Sequence, residues 1–461
     1  MPLNIIGSMI VDGPDVVPGW QYIKTYGPII ATIGSLKYYF RGATNTWDRD
    51  LHGKVFIITG GTSGLGSSIV DELASRGAQL ILLVRSTNDS WVTEKIEELR
   101  EKHDNYLIYA EECDLSSLYS IRKFATKWLD NVPPRRLDGI VCTAAESLPA
   151  YKERENSVDG IEMQTAVSYV GHYHLLTLLQ PSLKAQLADR DVRVILTTCL
   201  SQAMGDLDIE DPLFINRRYP KNSPWTVLGT AKLELGLFAK EFQRRLEAVP
   251  RKDGAPCNIR VNVVNPGTMR SPSTKRVLSF GSIWGLLLYV VLLPILWIFL
   301  RSTNQGAQSF FHALMCPEFI GLPGGQFISN CAIYKPVRKE LEDEELQKKL
   351  YDNTAAAIAV VEKESAMKRK REESEKQKKK GKDPKKTEDE KVVSGLKNRK
   401  VKISTLNDPS EKDTVPLFPE FDKNNKPIIN GKEDIKDSKG NPQPAKKKSN
   451  NRGNKGKSKK F

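Results

Sequence analysis

The feature that most constrains this chain is a short apolar strand running straight into a glycine-rich turn and a helix. Val55-Phe56-Ile57-Ile58 is rich in β-branched and aromatic residues, as a strand buried on both faces requires. Thr59-Gly60-Gly61-Thr62-Ser63-Gly64-Leu65-Gly66 follows without a gap. A helical pattern then runs from Ser67 to Arg76, with Ile69, Leu73 and Ala74 on one side. Glycines in such a turn let the backbone bend tightly. They also let a pyrophosphate approach the N–H groups at a helix N-terminus. A glycine motif alone is weak, but strand before and helix after give it specificity.

Further apolar runs at 79–84, 106–112, 139–143, 192–198 and 259–264 read as strands, with helical patterns between them. That alternation predicts an α/β fold with a doubly wound parallel sheet of the Rossmann type. The second strand ends at Arg85. A basic residue there suits a 2′-phosphate, whereas an acidic one would hold free ribose hydroxyls, so the expected cofactor is NADP rather than NAD. Asp114 closes the third strand, and Pro266-Gly267 follows the sixth.

Over roughly residues 51–335 the chain resembles the short-chain dehydrogenase/reductase superfamily. The loop carrying Thr59, Gly60, Ser63, Gly64, Leu65 and Gly66 matches that family's nucleotide turn. The resemblance implies that Asp114 contacts the adenine and that Pro266-Gly267 lies beside the nicotinamide. Gly306-Ala307-Gln308-Ser309 and Gly325-Gln326-Phe327 resemble the closing helix and strand of the retinol-dehydrogenase-like branch. The opening Met1-Pro2-Leu3-Asn4-Ile5-Ile6-Gly7 and the stretch Pro133 to Gly139 are similar to a small group of fungal membrane oxidoreductases of uncharacterised activity.

The departures fall where the chemistry should be. The fourth-strand Asn-Asn-Ala-Gly motif of the family reads Cys142-Thr143-Ala144-Ala145 here. In the catalytic tetrad, Ser168 stands at the asparagine, Cys199 at the serine and Leu228 at the tyrosine, and only Lys232 is retained. The resemblance implies that Lys232 also holds the nicotinamide ribose. Leucine can neither donate nor accept a proton, and losing a general acid costs on the order of 10²–10⁴ in rate. Cys199 is a weak donor. Tyr219 and His172 are the candidate substitutes, while Tyr169 and Tyr173 share a helix face and read as packing. Two functions follow. One is a membrane-bound, NADP-dependent oxidoreductase acting on a lipid-like carbonyl or alcohol. The alternative is a catalytically inactive NADP-binding scaffold.

Residues 51–337 form the expected dinucleotide-binding domain, with 1–50 as a membrane-proximal segment, 338–382 as a charged helix and 383–461 as a disordered Lys-rich tail. Residues 361–461 hold 31 Lys and Arg against 17 Asp and Glu, so the whole chain's +14 resides there. That tail cannot bury enough apolar surface to fold. Its basic runs suit anionic headgroups, RNA or a protein partner, but no stacking aromatics alternate with the charges, which disfavours nucleic acid.

Phe280 to Leu300 is 21 residues without a charge, the length of a membrane span. A single crossing would split one sheet across the bilayer, and Arg270, Lys275, Arg276 and Arg301 put positive charge on both flanks. An embedded hairpin broken at Pro294, or an interfacial helix, is therefore expected. Pro28 to Phe40 reads as a second interfacial contact. No cleavable signal is evident, and the C-terminal Lys457-Ser458-Lys459-Lys460-Phe461 resembles a dilysine retrieval signal. The endoplasmic reticulum membrane, with the domain and tail facing the cytosol, is the expected location. Six scattered cysteines give neither a disulfide framework nor a metal site.

Overall fold

The structure is a computed structural model, and it describes residues 19–251 and 253–380. The expectations for the first seven residues, the Lys-rich tail and the dilysine-like C-terminus lie outside the described residues. In chain order the elements are α1 (Trp20–Arg41), β1 (Val55–Thr59), α2 (Gly64–Ser75), β2 (Gln79–Val84), α3 (Ser90–His103), β3 (Ile108–Glu112), α4 (Leu118–Leu129), β4 (Gly139–Cys142), α5 (Gly171–Lys184), β5 (Val192–Thr197), α6 (Trp225–Ala248), β6 (Ile259–Asn265), α7 (Pro272–Leu278), α8 (Ile283–Phe299), α9 (Thr303–Met315), β7 (Phe327–Ser329), β8 (Ala332–Ile333) and α10 (Glu344–Lys380).

The strands form one sheet in the order β3-β2-β1-β4-β5-β6-β7-β8, parallel except for the final antiparallel pair. Ile57, Ile58, Leu80, Leu82, Val194 and Ile195 are almost wholly shielded, which is why these strands are continuous apolar runs rather than alternating ones. One face packs on α2, α3 and α9 and the other on α4, α5 and α6. The order reverses between β1 and β4, so the crevice that doubly wound sheets use for ligands opens there, at the carboxyl ends of the strands.

The apolar segment resolves differently from a hairpin broken at Pro294. Helix α8 runs through Pro294 unbroken. Losing one N–H bond weakens a helix there without ending it. The chain turns earlier, at Phe280 and Gly281, both with positive φ. Among the described residues no single helix is long and apolar enough to cross a membrane, and α7 and α8, which together have the length and composition, are bent by 115°. Both ends of α8 are tied to the domain. At one end, a Cβ on Gly281 would come within 3.1 Å of the Pro149 ring. At the other, Arg301 N–H donates to the Thr268 carbonyl at 3.0 Å.

Helix α1 is longer than the thirteen-residue contact expected from the sequence, and it pairs with α8. Phe40 meets Phe299 edge-on at 5.0 Å, and Lys37 Nζ donates to the Leu300 carbonyl at 3.3 Å. Neither helix buries a residue, and Ile23, Ile30, Trp284, Leu287, Val291 and Ile295 are among their exposed apolar side chains.

Helix α10 does not simply lead away from the domain. Its first half carries Leu350, Ile358 and Val361 into the core. Tyr169 Oη and Thr354 Oγ1 are 2.8 Å apart, and Tyr173 Oη donates to the Tyr351 carbonyl at 2.9 Å. Arg122 grips the Glu362 carboxylate with two bonds of 2.7 and 2.6 Å, and His174 Nε2 lies 3.2 Å from it. Partial burial would raise the Glu362 pKa, but His174 and Arg122 outweigh it and hold the group at about 2. Its folded value thus lies below its unfolded one. The stabilisation is complete above about pH 4.3 and is lost as pH falls from there toward the folded value. After solvent screening it amounts to about 1–2 kcal/mol. The protection factors of amides at residues 350–362, taken relative to the intrinsic exchange rate at each pH, should therefore fall on acidification in the wild type. Glu362→Gln should show the faster exchange already at pH 7, and equal rates for the two at pH 7 would refute the clamp.

Candidate active site

The glycine loop is built by close approach. Gly60 has φ +67°, and a Cβ there would lie 2.8 Å from Ala144 Cα. A Cβ on Gly66 would collide with the Gly60 carbonyl oxygen and reach within 2.7 Å of Thr143 Oγ1. Thr143 Oγ1 donates to the Thr59 carbonyl at 2.6 Å, and Ala144 N–H donates to Thr59 Oγ1 at 3.2 Å. The ends of β1 and β4 are thereby laced together, leaving no room for a side chain at Gly60 or Gly66. Ser63 takes the N-cap position of α2 in an extended conformation, and its hydroxyl does not close the first turn. The first N–H groups of α2 thus form an anion-binding end, while Leu65 anchors the turn in the core.

The other predicted cofactor residues lie on the same edge of the sheet. Asp114 follows β3, and its Oδ1 accepts Ser116 N–H at 2.9 Å and Ser116 Oγ–H at 2.8 Å. Arg85 follows β2, is largely exposed, and reaches Glu146 at 3.2 Å. Arg276 on α7 pairs with the same carboxylate. Gly267 has φ +77°, and its N–H donates to Asn265 Oδ1 at 2.9 Å. Arg301 reaches the Pro266 carbonyl at 3.4 Å and the Phe40 carbonyl at 3.2 Å, which ties the α1–α8 pair to this turn. A Cβ on Gly64 would meet the Pro272 ring at 3.3 Å, so the start of α7 lies against the glycine loop.

Lys232 stands at the centre of the departures. It lies on α6, is 2% exposed, and its Nζ has no hydrogen-bond partner among the described residues. Burial lowers its pKa, with the Cys199 and Cys142 thiols acting weakly the other way. Leu228 lies one helical turn earlier and is half-buried, and no phenol replaces it on α6. Cys199 Sγ is 2.8 Å from Ser201 Oγ, so the thiol has a hydroxyl neighbour that motif alignment does not single out. Ser168 sits in a π turn, Ala166–Val170, where its Oγ accepts Glu146 N–H at 3.3 Å. Such turns displace one residue from the α-helical register and gather at functional sites.

The expected substitutes fare unequally. His172 is buried with Nε2 3.0 Å from Thr59 Oγ1, and burial together with Lys232 depresses it to about 3. It is therefore neutral at pH 7. Tyr219 Oη accepts from Gln164 Nε2 at 3.4 Å, and burial raises its pKa, with Glu162 adding to the shift. Tyr169 and Tyr173 are engaged by α10, as packing residues. A phenol that sequence reading did not single out is Tyr334, just after β8, whose N–H donates to the Phe327 carbonyl at 2.8 Å and whose pKa is raised by burial. No motif marks it, because its place beside Phe327 depends on β7 turning back into β8. Among the described residues no cluster of three or more His, Cys, Asp and Glu side chains could hold a metal ion.

Comparison with known proteins agrees with this geometry. A family model described as short chain dehydrogenase matches residues 54–204. An uncharacterized oxidoreductase of Saccharomyces cerevisiae is 50% identical over 385 residues, covering 79% of this chain and 94% of the relative. One of Schizosaccharomyces pombe is 41% identical over 365 residues, covering 79% and 97%. Retinol dehydrogenase 13 of Homo sapiens is 28% identical over 338 residues, covering 73% and 94%.

Proposed function

The chain belongs to the short-chain dehydrogenase/reductase family of oxidoreductases, and from that premise we propose that it is an NADP-dependent oxidoreductase working at a membrane surface on a lipid-like carbonyl or alcohol. The observation that carries the cofactor is the buried Lys232 ammonium without a partner. An unpaired buried charge is costly, and the hydroxyls of a nicotinamide ribose would satisfy it. The glycine turn fits the same group, since close packing of Gly60 on Ala144 and of Gly66 on the Gly60 carbonyl holds the bare backbone at the start of α2, where a pyrophosphate could approach it. A bound NADP supplies hydride transfer. The chain's own residues bind and orient it. The N–H groups at the start of α2 take the pyrophosphate, Asp114 faces the adenine side, and Lys232 holds the ribose.

Arg85 supports NADP over NAD. Two guanidinium groups share Glu146, so the cluster keeps a net positive charge and can accept a 2′-phosphate. The substrate class rests on the apolar pair α1 and α8. Both ends of α8 touch the domain while its side chains face outward, the arrangement of a helix lying in a bilayer interface. Arg301 places the base of that pair beside Pro266-Gly267, so a substrate drawn from lipid would emerge near the nicotinamide turn. The positive flanks Arg270, Lys275, Arg276 and Arg301 favour a cytosolic face, and with it the endoplasmic reticulum membrane.

Co-flotation of the full chain with phosphatidylcholine/phosphatidylserine vesicles tests the reading, with NADPH and NADH binding followed by nucleotide fluorescence. The chain should float, should bind NADPH at least about tenfold more tightly than NADH, and should lose that preference in Arg85→Glu. Trp284→Asp combined with Val291→Asp should leave it in the soluble fraction with binding intact. Equal binding of the two nucleotides would remove NADP, and flotation of the double variant would remove the α8 contact.

A further inference from the structure

Residues 19–47 and 266–317 contain no Asp or Glu. Of the seven Lys and Arg side chains in these two stretches, only Arg276 has a carboxylate partner among the described residues, Glu146. Four of the others belong to one place, where the C-terminal ends of α1 and α8 reach the turn at Pro266-Gly267. Resting on the reading of this helix pair as a membrane contact, we propose that Lys37, Arg41, Arg270 and Arg301 form a binding site for the phosphate of an anionic phospholipid headgroup.

Printed contacts of the backbone set the four together. Arg301 N–H donates to the Thr268 carbonyl at 3.0 Å, and Arg270 N–H donates to the Arg301 carbonyl at 2.9 Å, so these two residues lie side by side. Lys37 Nζ reaches the Leu300 carbonyl, next to Arg301, and Arg301 Nε reaches the Phe40 carbonyl, next to Arg41. Lys37 and Arg41 are four residues apart on α1 and share a face. The oxygens that Arg301 meets, on Phe40, Pro266 and Asn330, are all neutral, so its charge stays uncompensated. Arg270 Nε is buried without a partner, and Arg41 is exposed. Lys37 gives two of its three donors to the Trp297 and Leu300 carbonyls and keeps one. Burial and then the Arg270 charge lower the Lys37 pKa, a crowding of cations that an anion would relieve.

A phosphate matches this set of donors, because its oxygens accept from the edge of a guanidinium in pairs and its charge offsets the cations. The surroundings select a lipid as its carrier. Exposed Ile29, Ile33 and Leu36 lead along α1 to Lys37, and exposed Ile295 and Phe299 lead along α8 to Arg301. Apolar rows that end in cations repeat the order of parts in a phospholipid, acyl chain and then phosphate. A zwitterionic headgroup brings its own ammonium to compensate the phosphate, so the site favours a headgroup with net negative charge.

The test titrates the full chain by calorimetry with three probes below any micelle concentration: dihexanoylphosphatidic acid, dihexanoylphosphatidylcholine and inorganic phosphate. The phosphatidic acid should bind at least about tenfold more tightly than either of the others. Arg41→Gln combined with Arg270→Gln should weaken it by about tenfold or more and keep the thermal midpoint, since neither side chain bonds another described residue. Lys446→Gln with Lys447→Gln and Lys448→Gln, which neutralises part of the Lys-rich tail, should leave the affinity unchanged. Wild-type affinity in the Arg41/Arg270 variant overturns the site, and a loss confined to the tail variant gives the anion to the tail instead. Inorganic phosphate bound as tightly as the lipid overturns the lipid as occupant. A chain that floats on phosphatidylcholine vesicles but shows no preference among the probes loses this site and keeps the membrane reading. A chain that neither floats nor binds a lipid probe loses both.

Discussion

Replacing Lys232 by methionine should weaken NADPH binding by roughly 10- to 100-fold and leave the thermal midpoint unchanged or higher. The two effects have one origin. Lys232 Nζ is buried without a partner, and burial already disfavours its charge. Folding the free chain therefore places an unsatisfied ammonium inside the protein, and a methionine of similar length removes that penalty. When a nucleotide binds, the ammonium gains ribose hydroxyls to hydrogen-bond. Such charge-assisted bonds contribute about 1.5–3 kcal/mol, which sets the expected loss of affinity. The comparison needs fluorescence titration and thermal unfolding of both proteins. A structural lysine would give the opposite pattern, with lower stability and unchanged affinity, and that result would remove the main support for the cofactor.

The same residue shows what the sequence can and cannot reveal. Lys232 was legible because a lysine at the right distance behind β5 matches a family pattern, but its missing partner was not, since burial is a property of the packed molecule. The strands of the sheet were legible for a stronger reason. A strand covered on both faces must be apolar throughout, so Val55–Thr59 and Gln79–Val84 announce themselves. The end of β3 was less clear, because Tyr106 is apolar in composition yet exposed outside the sheet, and the strand starts only at Ile108.

Helix α10 shows the converse. Its apolar stripe is diluted by Lys and Glu, so the buried Leu350, Ile358 and Val361 look incidental until Tyr169, Tyr173 and His174 are seen to bind Thr354, Tyr351 and Glu362 of the same helix. Tyr334 was hidden for a topological reason. It comes more than a hundred residues after Leu228, and only the turn of β7 into β8 sets it beside Phe327. The 280–300 segment was legible as apolar and not as a path. Composition gave its apolar length, while the contacts of Gly281 with Pro149 and of Arg301 with Thr268 decide that it returns to the domain.

Leu228→Tyr should raise NADPH-dependent reduction of hexadecanal, a long-chain carbonyl probe, by on the order of 10²-fold or more. Leu228 and Lys232 are four residues apart on α6, so their side chains share a helix face, and Leu228 is only half-buried. A phenol there would stand next to an ammonium that lacks a partner. The positive charge would lower the phenol's pKa toward working pH, and the phenol would in turn hydrogen-bond Lys232. The added hydroxyl needs no new charge and no backbone change. That gain would show that the rest of the machinery, Lys232 and the cradle at Gly60 and Gly66, is poised for hydride transfer. A variant that binds NADPH and gains no activity would mean that substrate does not approach the Lys232 side of the crevice. The reacting carbonyl would then have to lie on the β6–β7 side, against Asn265, where a phenol on α6 cannot reach it.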